Sequence, residues 1–146
     1  MTTAMQQNRD GRRRVPDVLL SLGGKWVSPA DFMGHELVVL FPPMEQGAAA
    51  SELHDYAARL GEVAKYDAWL LAVAEPAQQL DATKVTIVQD EAGGAWDAMS
   101  GCVAEGPELS RDKGAAFVFS RGGSLQKVFS GPGRAAEVIA ELGSRR

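Results

Sequence analysis

The sequence has one cysteine, Cys102, in 146 residues. A single thiol excludes an internal disulfide framework and any cysteine-based zinc cluster. No apolar run approaches the ~20 residues that a membrane-spanning helix needs. Histidine is scarce: His35 and His54 are the only 2, and no third ligand stands near either at motif spacing, so no metal site is expected. Basic charge is in deficit, with 15 Lys and Arg against 19 Asp and Glu for a net charge of −4. Affinity for phosphate backbones is built from accumulated Lys and Arg, so a nucleic-acid partner is not expected either. What remains is an ordinary globular balance, 45% apolar and 23% charged. A chain of this length buries roughly 68–70% of its unfolded surface and holds a core without metal or disulfide. The composition therefore points to one soluble, cytoplasmic domain and names no function.

Residues 1–14, MTTAMQQNRDGRRR, are polar and without hydrophobic period, and are expected to form a flexible N-terminal arm ahead of a single domain over 15–146. Arg12, Arg13 and Arg14 do not make a twin-arginine export signal, because Asp17, Lys25 and paired glycines interrupt the apolar stretch that would have to follow. Val15–Leu22 has strand-like content, Gly23-Gly24 reads as a turn and Lys25–Ser28 as a second short strand. Ser28-Pro29-Ala30-Asp31-Phe32 reads as one helical turn with Ser28 as its cap and Pro29 at its first position. Leu37–Phe41 is apolar without alternation, which predicts a strand buried on both faces, and Pro42-Pro43 ends it.

From about Gly47 to Ala64, apolar residues recur at three- and four-residue spacing and predict one long helix, weakened by Gly61. Ala68–Ala74 is the next buried strand and Thr83–Val88 another. Asp90 is expected to cap a short helix carrying Ala92, Ala95, Trp96 and Met99. Ala115–Phe119 and Leu125–Phe129 flank Ser120-Arg121-Gly122-Gly123-Ser124, a β-hairpin signal. Arg134–Leu142 predicts a closing helix with Gly143 as its C-cap. Helices alternating with buried strands, then a hairpin and a last helix, fit a three-layer α/β/α sandwich around a mixed β-sheet.

Several residues match at fixed spacing a known opening: Pro16-Asp17, Leu20, Gly24-Lys25, Val27-Ser28, Asp31-Phe32, Gly34 and Val38-Val39-Leu40-Phe41-Pro42. Val88-Gln89-Asp90-Glu91 with Gly93, and Ala115–Ser120 with Gly122-Gly123, follow later. In these the chain, over about residues 15–142, resembles the peroxiredoxin (alkyl hydroperoxide reductase/thiol-specific antioxidant) branch of the thioredoxin fold. The resemblance implies a thioredoxin-like fold and a tendency to form homodimers.

The departure follows Pro42. In the family that proline precedes Thr-Pro, the peroxidatic cysteine and a glutamate. Anchoring the pattern on Pro42 and Glu52 puts Gln46 at the threonine, Gly47 at the second proline and Ala49 at the cysteine. The family's arginine corresponds to Gly114, with Arg111 or Lys113 able to substitute only after a shift. Peroxide reduction needs a thiolate, stabilised by a helix N-terminus and a nearby cation, to attack the O–O bond. Ala49 has no nucleophile, and Ser51 has no evident base.

The resemblance therefore implies a redoxin that has lost peroxidase activity and serves as a binding or assembly module, with a vestigial site around Pro42, Gln46, Ala49 and Glu52 and no cofactor or metal. Two alternatives stay open. Cys102 lies in the loop before the hairpin and would carry thiol-dependent oxidoreductase chemistry if it reached the active face. The small residues 47–52, opening a helix after a central strand, would bind an anion or small metabolite if their amides were exposed. His54, on the same helix, would line the same pocket or stand in solvent. Trp26, Trp69 and Trp96 read as core or interface residues.

Overall fold

The computed structural model describes residues 14–76, 78–80, 84–103 and 106–144. The strands are β1 (Leu20–Leu22), β2 (Lys25–Val27), β3 (Glu36–Phe41), β4 (Ala68–Ala74), β5 (Thr86–Gln89), β6 (Ala115–Phe119) and β7 (Leu125–Ser130). They form one 7-stranded sheet in the order β2-β1-β5-β4-β3-β6-β7. β3, β4 and β5 run parallel to one another, while β3–β6, β6–β7 and β1–β5 are antiparallel, so the sheet is mixed. Every residue of β3 is buried, as its unbroken apolar run requires for a strand covered on both faces.

Among the described residues four α-helices complete the layers: α1 (Gln46–Ala57), α2 (Leu60–Lys65), α3 (Ala95–Ser100) and α4 (Ala135–Gly143). Val38, Leu40, Leu70 and Ala72 point to one face and pack with Leu53 and Tyr56 of α1, Val63 of α2 and Val138 and Leu142 of α4. Leu37, Val39, Leu71 and Val73 point to the other, against Ala95 and Met99 of α3. The result is the expected three-layer sandwich with a thioredoxin-like arrangement. A 3₁₀ turn, Pro29–Phe32, precedes β3 and is closed by a capping box between Ser28 and Asp31, as the sequence indicates.

Several local expectations need correction. The single helix over 47–64 is two. At Arg59 the ladder tightens to an i−3 bond, Arg59 N–H to the Tyr56 carbonyl at 2.9 Å, and restarts with Glu62 and Val63 donating to the Arg59 carbonyl at 3.0 and 3.2 Å. The apolar face continues through the break, so the periodicity does not register it. The first strand begins at Leu20 and not at Val15. Ahead of it, Val15 N–H donates to the Gly123 carbonyl at 2.7 Å. Arg14 makes an antiparallel bridge with Ser124, and its guanidinium donates to the Gly122 carbonyl. Arg14 thus belongs to the folded domain, while residues 1–13, with Arg12 and Arg13, lie outside the described residues. β5 starts at Thr86; Thr83, where it was expected to begin, is also outside them.

Asp90 does hold the start of α3, but from farther upstream than a simple cap. Its buried carboxylate accepts from Gly93 N–H at 3.0 Å and Ala95 N–H at 2.9 Å, and Ala92 stands before the helix. Gly143 is helical, and Ser144 is the C-cap. A β-carbon at Gly143 would lie 2.9 Å from the Tyr66 hydroxyl oxygen, so close packing on α2's C-terminus accounts for the glycine.

Candidate functional site

The carboxyl ends of β3 and β4, the start of α1 and the loop before β6 meet at one end of the sheet. Pro42 and Pro43, both buried, stop β3 because neither can donate to a ladder. The chain then turns into α1 through Glu45. The Glu45 carboxylate accepts from Gly47 N–H at 2.8 Å and Ala48 N–H at 2.9 Å. Those two N–H bonds hold its carboxyl below the usual carboxylate range. The amides at 47 and 48, expected to be available to an anion, are thus already occupied by a side chain of the same protein.

Ala49 follows in the first turn of α1, 1% exposed, on the face the helix turns inward with Glu52, Leu53 and Tyr56. Gln46 is exposed and donates from Nε2 to the Gln79 carbonyl at 3.0 Å. Ser51 and His54 are exposed on the outer face, so His54 does not line the site. Glu52 is buried, and its Oε1 accepts from Gly133 N–H at 2.8 Å, tying α1 to the turn before α4. Burial pushes the Glu52 carboxyl up, against the lowering effect of the Gly133 N–H and with a further push from Asp55. Tyr56, one helical turn on, is raised by burial and then by the charge of Glu52. Its hydroxyl is buried and has no hydrogen-bond partner among the described residues.

The cation of the site is Arg111, which the sequence singles out only as a shifted substitute. Its Nε lies 2.8 Å from Glu75 Oε2, Nη1 donates to the Pro42 carbonyl at 2.6 Å, and Nη2 donates to Gln78 Oε1 at 3.1 Å. The guanidinium lies 5.2 Å from the Phe41 ring centroid and 5.9 Å from that of Trp96, both within cation–π range. Gly114, the position aligned with the family's arginine, has φ +83, and a β-carbon there would stand 2.3 Å from the Phe41 carbonyl oxygen. No side chain fits at 114 on this backbone. Lys113 is exposed. No sequence pattern points to Glu75, Gln78 or Trp96 as members of the site.

Cys102 sits just beyond α3, 7% exposed, with Sγ 3.3 Å from the Arg14 carbonyl oxygen and 3.4 Å from that of Ala98. Arg14 is bridged to Ser124 in the hairpin turn, and that turn adjoins the Phe119–Leu37 pair at the start of β3. Ala49 follows the end of β3. The sheet therefore separates the thiol from the start of α1 along its length. His35 is also at the start of β3, with Nδ1 3.2 Å from Asp67 Oδ1, while Arg121 Nη1 lies 3.2 Å from Asp67 Oδ2. Among the described residues no cluster of His, Cys, Asp and Glu is disposed to hold a metal, and no helix is long and apolar enough to cross a membrane.

Solved peroxiredoxins superpose on this chain over about nine-tenths of its length. The chain has the peroxiredoxin fold. The Xanthomonas campestris bacterioferritin comigratory protein, for which alkyl peroxide reduction is described, matches with a TM-score of 0.69 and 21% identity over 89% of this chain and 91% of that one. A mitochondrial 2-Cys peroxiredoxin from Plasmodium falciparum gives 0.68 and 12% over 90% and 91%. AhpC from Enterococcus faecalis gives 0.68 and 18% over 92% and 90%. No protein-family model matches the sequence, and no curated protein does. At these identities the likeness is one of fold.

Proposed function

We propose that this peroxiredoxin-fold protein performs no thiol-peroxidase chemistry and works as a binding or assembly module, pairing with a second copy or another protein in a cytoplasmic setting. The observation that carries the reading is Ala49. It stands in the first turn of the helix that follows β3, where the family pattern puts the reactive cysteine, and it offers only a methyl group. The surrounding electrostatics agree. A peroxidatic thiolate draws on a helix N-terminus and a cation. Here Glu45 occupies the first helix amides, and Glu75 neutralises Arg111 at 2.8 Å.

The chain's one thiol, Cys102, is buried and directed at two backbone carbonyls, which favours a packing role over attack on a peroxide. The engaged amides at 47 and 48 likewise disfavour an anion site there. A peroxide-consumption assay with thioredoxin, glutathione or dithiothreitol as reductant tests the proposal. The expected rate is that of a buffer blank, and turnover well above it would end this reading. Sedimentation of the purified chain tests the pairing.

A further inference from the structure

We propose that the cleft between α2 and α4 binds a small zwitterion with an apolar side chain, the chemistry that a free amino acid or a short peptide presents. The cleft has a volume of about 230 Å³ and is lined by Arg59, Glu62 and Tyr66 on one side and Ala136, Ile139 and Ala140 on the other. Two features leave it open. The break at Arg59 ends the α1 ladder and restarts it as α2. Ala136 and Ala140, one helical turn apart on α4, put only methyl groups toward the gap. Ile139, 5% exposed, is the apolar floor. Arg59 and Tyr66 stand at the two ends of α2, and the Tyr66 hydroxyl is packed on Gly143.

The charges of the cleft point to the ligand. At the start of α4, Arg134 and Glu137, three residues apart, close on one another at 3.0 Å. Arg59 and Glu62 have the same spacing at the start of α2, yet neither forms an ion pair with the other or with any other described residue. The Arg59 guanidinium is turned back, its Nη1 donating to the Asp55 carbonyl at 3.0 Å. A half-buried cation and an exposed carboxylate thus border one cleft, each without an opposite charge. A simple anion there meets Glu62 and a simple cation meets Arg59, so either is repelled by one wall. A zwitterion suits both. Its carboxylate accepts from the planar guanidinium, its ammonium donates to Glu62, and its side chain lies on Ile139 and the two alanine methyls. The volume is below that of sites for drug-sized ligands, which limits the occupant to a small molecule or a chain end. The cleft lies at the far end of α1 from Ala49, about 15 Å away at the helical rise. The inference therefore goes beyond the binding-module reading and does not rest on it.

The test is a backbone-amide NMR titration of the full chain with L-leucine and with the dipeptide glycyl-leucine. Saturable shifts are expected at 59–66 and 135–140, with a dissociation constant on the order of 1 mM for the better of the two. Tighter binding of leucine assigns the site to free amino acids, and tighter binding of glycyl-leucine assigns it to peptide ends. 4-Methylpentanoate, which lacks the ammonium, and 3-methylbutylamine, which lacks the carboxylate, should each bind about tenfold more weakly than leucine or not at all. Arg59→Gln should weaken the zwitterion about tenfold. Ala136→Leu, at an exposed helix position that tolerates leucine, should fill the cleft and abolish the shifts. The analogue series is read on the parent chain and needs no variant to fold. No saturable shift with either zwitterion up to about 20 mM, 4-methylpentanoate binding as well as leucine, or an unchanged titration in Ala136→Leu would overturn the assignment. Peroxide consumption enters none of these readouts, so this result and the test of peroxidase loss stand apart.

Discussion

Gly114 lies so close under Phe41 that a β-carbon on it would be 2.3 Å from the Phe41 carbonyl oxygen, and its φ of +83 is one that L side chains seldom adopt. Three residues upstream Arg111 supplies the guanidinium that a side chain at 114 cannot. Gly114→Arg is therefore expected to cost at least ~3 kcal/mol, combining a strained backbone with a clash against main chain that has no rotamer to escape into. Urea denaturation of Gly114→Ala and Gly114→Arg measures this. An arginine at 114, where the resemblance aligns one, should thus weaken the fold.

The fold was readable because its signals are long and redundant. The β3 run, the paired glycines between β6 and β7 and the period of α4 each specify an element independently. In the candidate site, Ala49 and Glu52 were marked by the resemblance along one segment, while Arg111, Glu75, Gln78 and Trp96 meet only through tertiary packing. No local pattern relates an arginine in one loop to a glutamate 36 residues before it. The occupied amides at 47 and 48 were missed for a different reason. Glu45 is no usual N-cap by propensity, yet its longer side chain reaches back to the first amides and fills the place expected for an anion.

Glu45 also makes helix stability pH-dependent. Its carboxyl is lowered from the ordinary value of 4.5 by the Gly47 and Ala48 N–H groups. The ionised form is favoured by folding, so its contribution is complete above the unfolded-state value and disappears as pH falls through the lower folded-state value. Glu45→Gln should lower the thermal midpoint at pH 7, and the gap from the parent should close in strongly acidic buffer. Paired melting curves across that range check it; a gap independent of pH would refute the assignment.

Glu52 has the opposite sign. Burial raises its carboxyl above the ordinary 4.5, so holding it ionised opposes folding at neutral pH. The opposition is relieved as pH falls through the raised value toward the unfolded one. Glu52→Gln keeps an oxygen for the Gly133 N–H and removes the charge. It is expected to melt higher than the parent at neutral pH, with the advantage shrinking as pH falls through the raised value and gone below the ordinary glutamate value.

Cys102 gives a prediction about reactivity. A thiol 7% exposed and aimed at the Arg14 and Ala98 carbonyls should react with a chromogenic disulfide reagent slowly in the native protein and quickly in denaturant. Cys102→Ala should cost on the order of 1 kcal/mol and leave any partner binding untouched. Fast stoichiometric labelling of the native chain would reopen a redox role.

The last prediction concerns Tyr56, whose ring is fully buried among α1, α2 and α4 while its hydroxyl has no hydrogen-bond partner among the described residues. A buried hydroxyl deprived of a partner costs about 1–3 kcal/mol, and the neighbouring Glu52 charge disfavours its ionisation. Tyr56→Phe keeps the packed ring and removes the unmatched oxygen, so it should be neutral or stabilise by about 1 kcal/mol. Tyr56→Ala removes the ring as well and should cost ~3–5 kcal/mol through the cavity left behind. Chemical denaturation of the two variants separates the terms. A loss on Tyr56→Phe as large as that on Tyr56→Ala would mean that the hydroxyl holds α1 in place and that a polar group satisfies it in solution.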